Sequence, residues 1–442
     1  MLSLYHASTR FFLLMIVSKT VMKDSDSAKP SSKQSVITGK KPRFSKDYET
    51  TFKHNQQKPI HRWFSYVEGF SGDFVQKTFE DFKIKPDSVV LDPFSGSGTT
   101  LTESSLAGIQ SYGYDINPFL TYVSKIKTNF SISTKKLQDD LFALDKKMKN
   151  FSNSKSLTAE DVGLTNLFAN NVVFGKNVLP KVLFMRKHLS SIKDKAIRDF
   201  FTLAFCSILV EVSNYRRGPD LAMKKHPLND APVFERFLEK SSLMISDLKL
   251  IPKKKTKNPI VHVGDSRSLE KIKSDSVDLV ITSPPYLNGT NYFRNTKLEL
   301  WFTKQISETK DLHSLREKAI TAGINDAFNS KHKESTIPDV QKLLLKIGKN
   351  AYDSRIPLMV STYFEEISYC FKSLYRVMKP SSKCYWVIGD SAFSGIKIPT
   401  DVISTDIAEK VGFKHERTDI VRERKSRSGI LLHEVIIVIK KE

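Results

Sequence analysis

Acidic residues are in short supply: 48 Asp and Glu stand against 70 Lys and Arg in 442 residues, a formal net charge of +22. A surplus of that size favours polyanionic partners through release of their counterions, although ribosomal and membrane-surface proteins share it. Cysteine is scarcer. Cys206, Cys370 and Cys384 are odd in number and far apart, a spacing that leaves no disulfide framework and no zinc site and points to a reducing compartment, the cytoplasm. Long apolar runs are missing as well. Phe11 to Val17 is far too short to span a bilayer, and with Arg10 as the only nearby preceding charge and no small-residue cleavage site it makes a poor signal peptide. No membrane association is expected. The Ser- and Lys-rich composition of residues 1–50 reads as a disordered basic tail.

Two nucleotide motifs are also absent. The stretch Val89-Val90-Leu91-Asp92-Pro93-Phe94-Ser95-Gly96-Ser97-Gly98-Thr99-Thr100 is a short apolar strand, a glycine turn and the start of a helix. Glycine lets a ligand approach the backbone, and a helix N-terminus offers unpaired N–H groups. A dinucleotide fingerprint would place glycine where Leu101 stands, and a phosphate-binding loop would need Gly-Lys-Ser/Thr. The turn serves some other ligand. About 20 residues on, where open α/β sheets keep a ribose-binding carboxylate, a second strand ends at Asp115 and leads into Asn117-Pro118.

The stretch that organises the rest is Asp278-Leu279-Val280-Ile281-Thr282-Ser283-Pro284-Pro285-Tyr286. Its apolar start reads as a buried parallel strand, and the prolines stop it abruptly because they cannot donate to a ladder. Ligands bind at the carboxyl ends of such strands. Ser283 Oγ and the Pro284 carbonyl then present two acceptors on a rigid corner with the Tyr286 ring beside them. That arrangement suits the exocyclic amino group of a flat heterocycle. The plain alternative is a strand followed by a proline turn.

Together these strings resemble the motifs of S-adenosylmethionine-dependent, amino-methylating DNA methyltransferases, and the Ser-Pro-Pro-Tyr form resembles the N4-cytosine branch found in restriction-modification systems. The resemblance covers most of residues 58–440, cofactor half first. It implies a Rossmann-like class I methyltransferase fold, α/β with a mostly parallel sheet and an antiparallel last strand, plus a largely helical insertion. It implies S-adenosylmethionine as cofactor, held by Asp92, Phe94, Gly96, Gly98, Thr99, Thr100, Asp115 and Asn117. It adds Asp265 and Ser266 on the adenine side, and a Lys-Pro element, here Lys58-Pro59 with Trp63, over the methionine end. Ser283, Pro284, Pro285 and Tyr286 are the implied catalytic residues. Double-stranded DNA is the implied partner, and a cognate restriction endonuclease is expected by association with the family.

The expected organisation is a catalytic domain over 51–125 and 259–442, interrupted by a mainly helical insertion over 126–258 and a second insertion loop over 303–356. The first is far longer than an ordinary connection. Between Asn117 and Pro259 the chain carries about 26 Lys/Arg against about 13 Asp/Glu, the larger part of the positive surplus. This makes it the candidate DNA-recognition region, with Asn214, Tyr215, Arg216 and Arg217 as local candidates; a solvated basic helix end is the alternative. Asn291 and Tyr292, after the catalytic corner, are candidate neighbours of a flipped base, with packing as the equal reading. The polar second insertion, including Lys331-His332-Lys333, reads as a mobile loop able to reach DNA.

No cysteine follows a proline, so C5 chemistry on cytosine lacks its nucleophile. The competing readings are N6-adenine methylation, methylation of RNA or of a protein glutamine on the same fold, and a catalytically silent DNA-binding subunit.

Overall fold

The computed structural model describes residues 43–442 apart from residues 47, 49, 67, 153–157, 170–171, 219–220, 253–254, 288–291, 329–333 and 427. Asn291 and Lys331-His332-Lys333 therefore lie outside the described residues, as does most of the expected tail.

Eight strands make the central sheet: β1 (Arg43–Phe44), β2 (Val89–Asp92), β3 (Gln110–Asp115), β4 (Ile260–Val263), β5 (Val277–Thr282), β6 (Met378–Gly389), β7 (Phe413–Lys425) and β8 (Leu431–Lys441). Their order is β1-β7-β8-β6-β5-β2-β3-β4. The run β4, β3, β2, β5, β6 is parallel throughout, whereas β8 lies antiparallel between β6 and β7. The order reverses between β2 and β5, the kind of switch point at which open sheets bind ligands. With its antiparallel strand inserted between β6 and β7, this is the class I methyltransferase fold.

The alternation of side chains across the pleat explains why both faces are covered. Val90, Leu279, Ile281, Tyr385, Val387, Ile436 and Val438 pack on the helix Gly72–Phe82 through Phe74, Val75 and Phe79. Their neighbours Leu91, Val280, Cys384, Trp386, Ile388, Val435, Ile437 and Ile439 pack on the other face, against the helices Arg355–Val377 and Thr400–Val411. Residues apolar on both faces are what make these strands read as continuous hydrophobic runs.

The first insertion is helical, as expected, and it shares its core with the catalytic chain. The helices Thr134–Lys149, Val178–Ser190, Lys195–Val212 and Val233–Lys249 enclose one apolar cluster that also takes in Trp63, Phe64, Phe119, Leu298 and Trp301. Buried Asp247 anchors the junction, accepting from the Ile60 amide at 3.1 Å and from Trp63 Nε1 at 3.0 Å.

Two expectations are revised here. Residues 43–44 pair with Asp419 and Ile420 at the sheet edge, so ordered chain starts before residue 50. The second insertion is no polar loop: it contains the helices Thr309–Lys318 and Pro338–Asn350, and Val340, Leu343 and Ile347 enter the core. Spaced at i, i+3 and i+7, these apolar residues form a helical stripe within a polar stretch.

Candidate active site

The glycine turn and the proline corner face one cavity. It has a volume of about 440 Å³ and is lined on one side by Phe94, Ser95, Gly96, Ser97, Thr99 and Asp115, and on another by Ser283, Pro284, Pro285 and Tyr286. The sheet makes this inevitable once β2 and β5 are neighbours: Val90 pairs with Leu279 and Leu91 with Val280, so both strands end at the same edge. Volumes of a few hundred Å³ are typical of small-molecule sites.

Asp92 ties the two corners together from behind. Its buried carboxylate accepts from Thr282 Oγ1 at 2.7 Å and from the Phe94 amide at 3.1 Å. Burial pushes its pKa up to about 7, against the pull of these donors. It does not line the cavity, and neither do Gly98 or Thr100. Thr100 is buried with its hydroxyl toward the Ile281 carbonyl at 3.4 Å. Gly98 sits at φ +81°, where a Cβ would come within 2.8 Å of Ser124 Cβ. These three residues therefore shape the turn and leave contact with a ligand to others.

The turn is held from several directions. Asp115 accepts from the Gly96 and Asn117 amides, each at 2.8 Å, and burial pushes its pKa up to about 6. Lys127, fully buried, donates to the Ser97 carbonyl at 3.0 Å; burial brings its pKa down to about 7. On the helix Thr99–Leu106 that follows the turn, buried Glu103 pairs with His61 at 2.6 Å. Nothing in the sequence pattern flags Lys127, His61 or Glu103, because each stands beside other polar residues, such as Lys125 and Thr128, Arg62, and Thr102 and Ser104, and nothing local marks it as buried.

On the far side of the turn, Asp265 lies at the cavity edge with its carboxylate gripped by Arg267 at 2.7 to 2.9 Å. Ser266 donates to the Pro93 carbonyl, joining the two loops. Asn117 also lines the cavity, but its amide is occupied: Oδ1 caps the helix Pro118–Lys127 through the Phe119 amide at 3.0 Å, and Nδ2 donates to Thr296 Oγ1 at 2.9 Å. Lys58, Pro59 and Trp63 are not on the cavity wall. Trp63 is core, and the wall is made by residues on either side of it, among them Thr50, Phe52, Tyr66 and Glu68. Burial raises the pKa of Glu68, opposed by the Asn295 amide, which donates to it at 2.6 Å.

The corner itself is braced by two hydroxyls. Tyr363 donates to the Pro285 carbonyl at 3.0 Å, and the Tyr286 amide donates to Tyr292 Oη at 2.9 Å. Tyr292 thus lines the cavity and supports the catalytic turn at once. Gly389 makes room for the Tyr286 ring, which a Cβ there would approach to 3.2 Å. The hairpin β7–β8 completes this wall with Arg422, Arg424 and Glu434.

Of the insertion candidates, only Arg216 is exposed. Asn214 is buried, donating to the Val172 carbonyl at 2.9 Å and accepting from the Leu228 amide at 2.6 Å. Tyr215 is buried against Phe168. Arg217 donates to the Asn295 carbonyl at 2.7 Å, pairs with fully buried Glu299, and covers the Phe64 ring. Asn214 and Tyr215 thus hold the insertion together internally, and Arg217 joins it to the segment after the corner, roles that their local sequence does not reveal.

The donor set fits S-adenosylmethionine. Ser95 Oγ and Ser97 Oγ are buried on the cavity wall without a partner among the described residues, and a Cβ on Gly96 would fill the cradle to within 3.1 Å of the Tyr66 ring. Both features suit a ligand that carries polar groups close to the turn.

Residues 45–125 match the sequence model of a family described as DNA methylase, whose name covers both N6 and N4 transfer. The chain is 29% identical over 431 residues to the type II methyltransferase M.BsoBI of Geobacillus stearothermophilus, across 86% of this chain and 83% of the relative. It is 26% identical over 419 residues to M.AvaI of Anabaena variabilis, across 86% and 84%, and 24% identical over 394 residues to M.MvaI of Kocuria varians, across 82% and 83%.

Proposed function

We propose that this chain, a relative of the type II DNA methyltransferases, methylates the exocyclic N4 amino group of cytosine in double-stranded DNA at a specific site. The observation that carries this reading is the shared cavity, with the glycine turn on one side and Ser283-Pro284-Pro285-Tyr286 on the other. The serine at the head of the corner favours N4-cytosine over N6-adenine, where the resembled family usually has Asp or Asn.

When bound, S-adenosylmethionine supplies an electrophilic methyl group. The chain's own task is to make a poor nucleophile attack it, because the amino lone pair of cytosine is delocalised into the ring. Ser283 Oγ and the Pro284 carbonyl accept hydrogen bonds from the two amino N–H groups and draw the nitrogen toward a tetrahedral geometry; once that nitrogen carries the methyl, one of its protons is released to solvent and the neutral amine is restored. The Tyr363 and Tyr292 hydroxyls hold the corner so that these acceptors are preorganised. Tyr286 offers a ring on which the base can stack once it has left the duplex, a step that costs roughly a few kcal/mol. Lys53 and Lys318, both exposed at the cavity rim, suit phosphate contacts, as does the net charge of +22. A cognate restriction endonuclease is the partner against which such a modification would protect.

Incubation of the purified protein with DNA and labelled S-adenosylmethionine, followed by digestion to nucleosides, tests the reading. N4-methylcytosine is expected. Label in N6-methyladenine would move the activity to the other branch, and DNA retention without any transfer would mark a silent binding subunit.

A further inference from the structure

The wall beside Tyr286 contains a charged pair that the transfer chemistry does not require. Glu434 lies in β8 directly across from Gly389 in β6 and Arg422 in β7. Its side chain is only 10% exposed. One carboxylate oxygen is 3.4 Å from the Tyr286 hydroxyl and 3.5 Å from Thr50 Oγ1, and the other accepts from Arg422 Nη2. Both side chains face the cavity.

Resting on the proposed cytosine specificity, we propose that Arg422, held in place by Glu434, reads the N3 and O2 acceptors of the flipped cytosine and thereby selects it over adenine. With the amino group taken by Ser283 and Pro284, what remains of the cytosine edge is two adjacent acceptors. A carboxylate facing them would repel; a guanidinium anchored on that carboxylate supplies what they need. Arginine has five N–H donors in a planar fork, and the contact with Glu434 takes up one of its terminal nitrogens. In duplex DNA guanine meets cytosine with the same pattern of parallel donors. Adenine offers N1 at the corresponding position and then a C–H, so one arm of the fork would face a group that cannot accept. Arg424 is engaged with the Asp390 carbonyl at 3.3 Å, and the lysines at the rim are single point charges without a fork.

The test is a cycle between protein and base. Two duplexes are compared, one with the mapped target cytosine and one in which it is replaced by a 2-aminopyridine C-nucleoside, which keeps the ring nitrogen and amino group but lacks O2. The wild-type kcat/KM is expected to fall roughly 5- to 150-fold on the analogue, the range of a lost bidentate base contact, beyond any intrinsic difference in reactivity. That intrinsic difference is common to every variant. In Arg422→Ala the additional loss should shrink to within about 2-fold of it, with S-adenosylmethionine affinity, measured by calorimetry without DNA, unchanged. Truncating Arg422 leaves Glu434, only 10% exposed, without its ion partner and should lower the melting temperature, so all variants are compared below their unfolding transitions. Arg422→Lys, which keeps a charge for Glu434 but loses the fork, provides the same comparison if the alanine variant does not fold. Equal sensitivity to the missing O2 in wild type and variants overturns this inference and leaves N4 methylation standing. Methyl recovered on adenine instead overturns both.

Discussion

Replacing Asp92 by asparagine isolates what a buried charge does at the junction of the two corners. Asparagine keeps an oxygen that can accept from Thr282 Oγ1 and the Phe94 amide, which now lie at 2.7 and 3.1 Å, but it cannot ionise. In the wild type, burial lifts the carboxyl pKa from 3.8 to about 7. Over that interval the folded state holds a proton that the unfolded chain has released, so stability falls as pH rises. Each pH unit is worth about 1.4 kcal/mol, and the full interval about 4 kcal/mol. Asp115, pushed up to about 6, has the same sign but is present in both proteins and largely cancels. Urea unfolding at pH 5, 6, 7 and 8 should therefore show Asp92→Asn gaining on the wild type by about 1 kcal/mol per unit up to pH 7, then levelling off. Asp92→Ala should follow the same pH trend but lie about 1–3 kcal/mol below Asp92→Asn at every pH, through the buried donors it strands. Parallel stability curves for wild type and Asp92→Asn would refute the idea that Asp92 is a buried structural tie carrying an uncompensated charge.

The cavity's two halves should separate by mutation. Tyr286→Ala should lower kcat/KM on DNA roughly 5- to 150-fold through lost base stacking while calorimetric affinity for S-adenosylmethionine survives; a loss confined to cofactor binding would contradict the assignment. Asp115→Ala should do the reverse, weakening the cofactor about 10- to 100-fold, the value of hydrogen bonds to a charged group, before turnover is affected at saturation. Gly98→Ala meets both a left-handed φ of +81° and a Cβ approach of 2.8 Å. It should cost at least about 1–2 kcal/mol, visible as a melting shift of about 1–2 °C for a chain of this length, and an unshifted melting curve would show that the turn gives way freely. Arg217→Ala strands Glu299, whose side chain is fully buried, and should destabilise by about 3–5 kcal/mol. A DNA contact alone would leave unfolding within about 0.5 kcal/mol of wild type and change only DNA affinity.

What the amino-acid order determined by itself is the part of the fold written in local patterns. The continuous apolar run Leu279-Val280-Ile281 within Val277–Thr282, the glycine turn before Thr99–Leu106, and the helix closed by Gly412 at φ +117° before Phe413 all depend on neighbours within a few residues. The proline corner at Ser283 is equally local, because proline ends a ladder wherever it falls. The pairing of β2 with β5 was implied by kinship of motifs, but only the sheet brings the two corners to one cavity. Tertiary structure alone decided which polar residues are free for chemistry. Asn214, Tyr215 and Arg217 look like a DNA-reading cluster in the linear string, yet their partners Val172, Leu228, Asn295 and Glu299 come from distant segments. Glu434 sits in an apolar strand with no motif around it and acquires its place at the catalytic wall through the registers of β8 with β6 and β7. Local patterns encode backbone conformation; whether a polar side chain is consumed by packing or left facing a ligand depends on contacts that no short stretch of sequence contains.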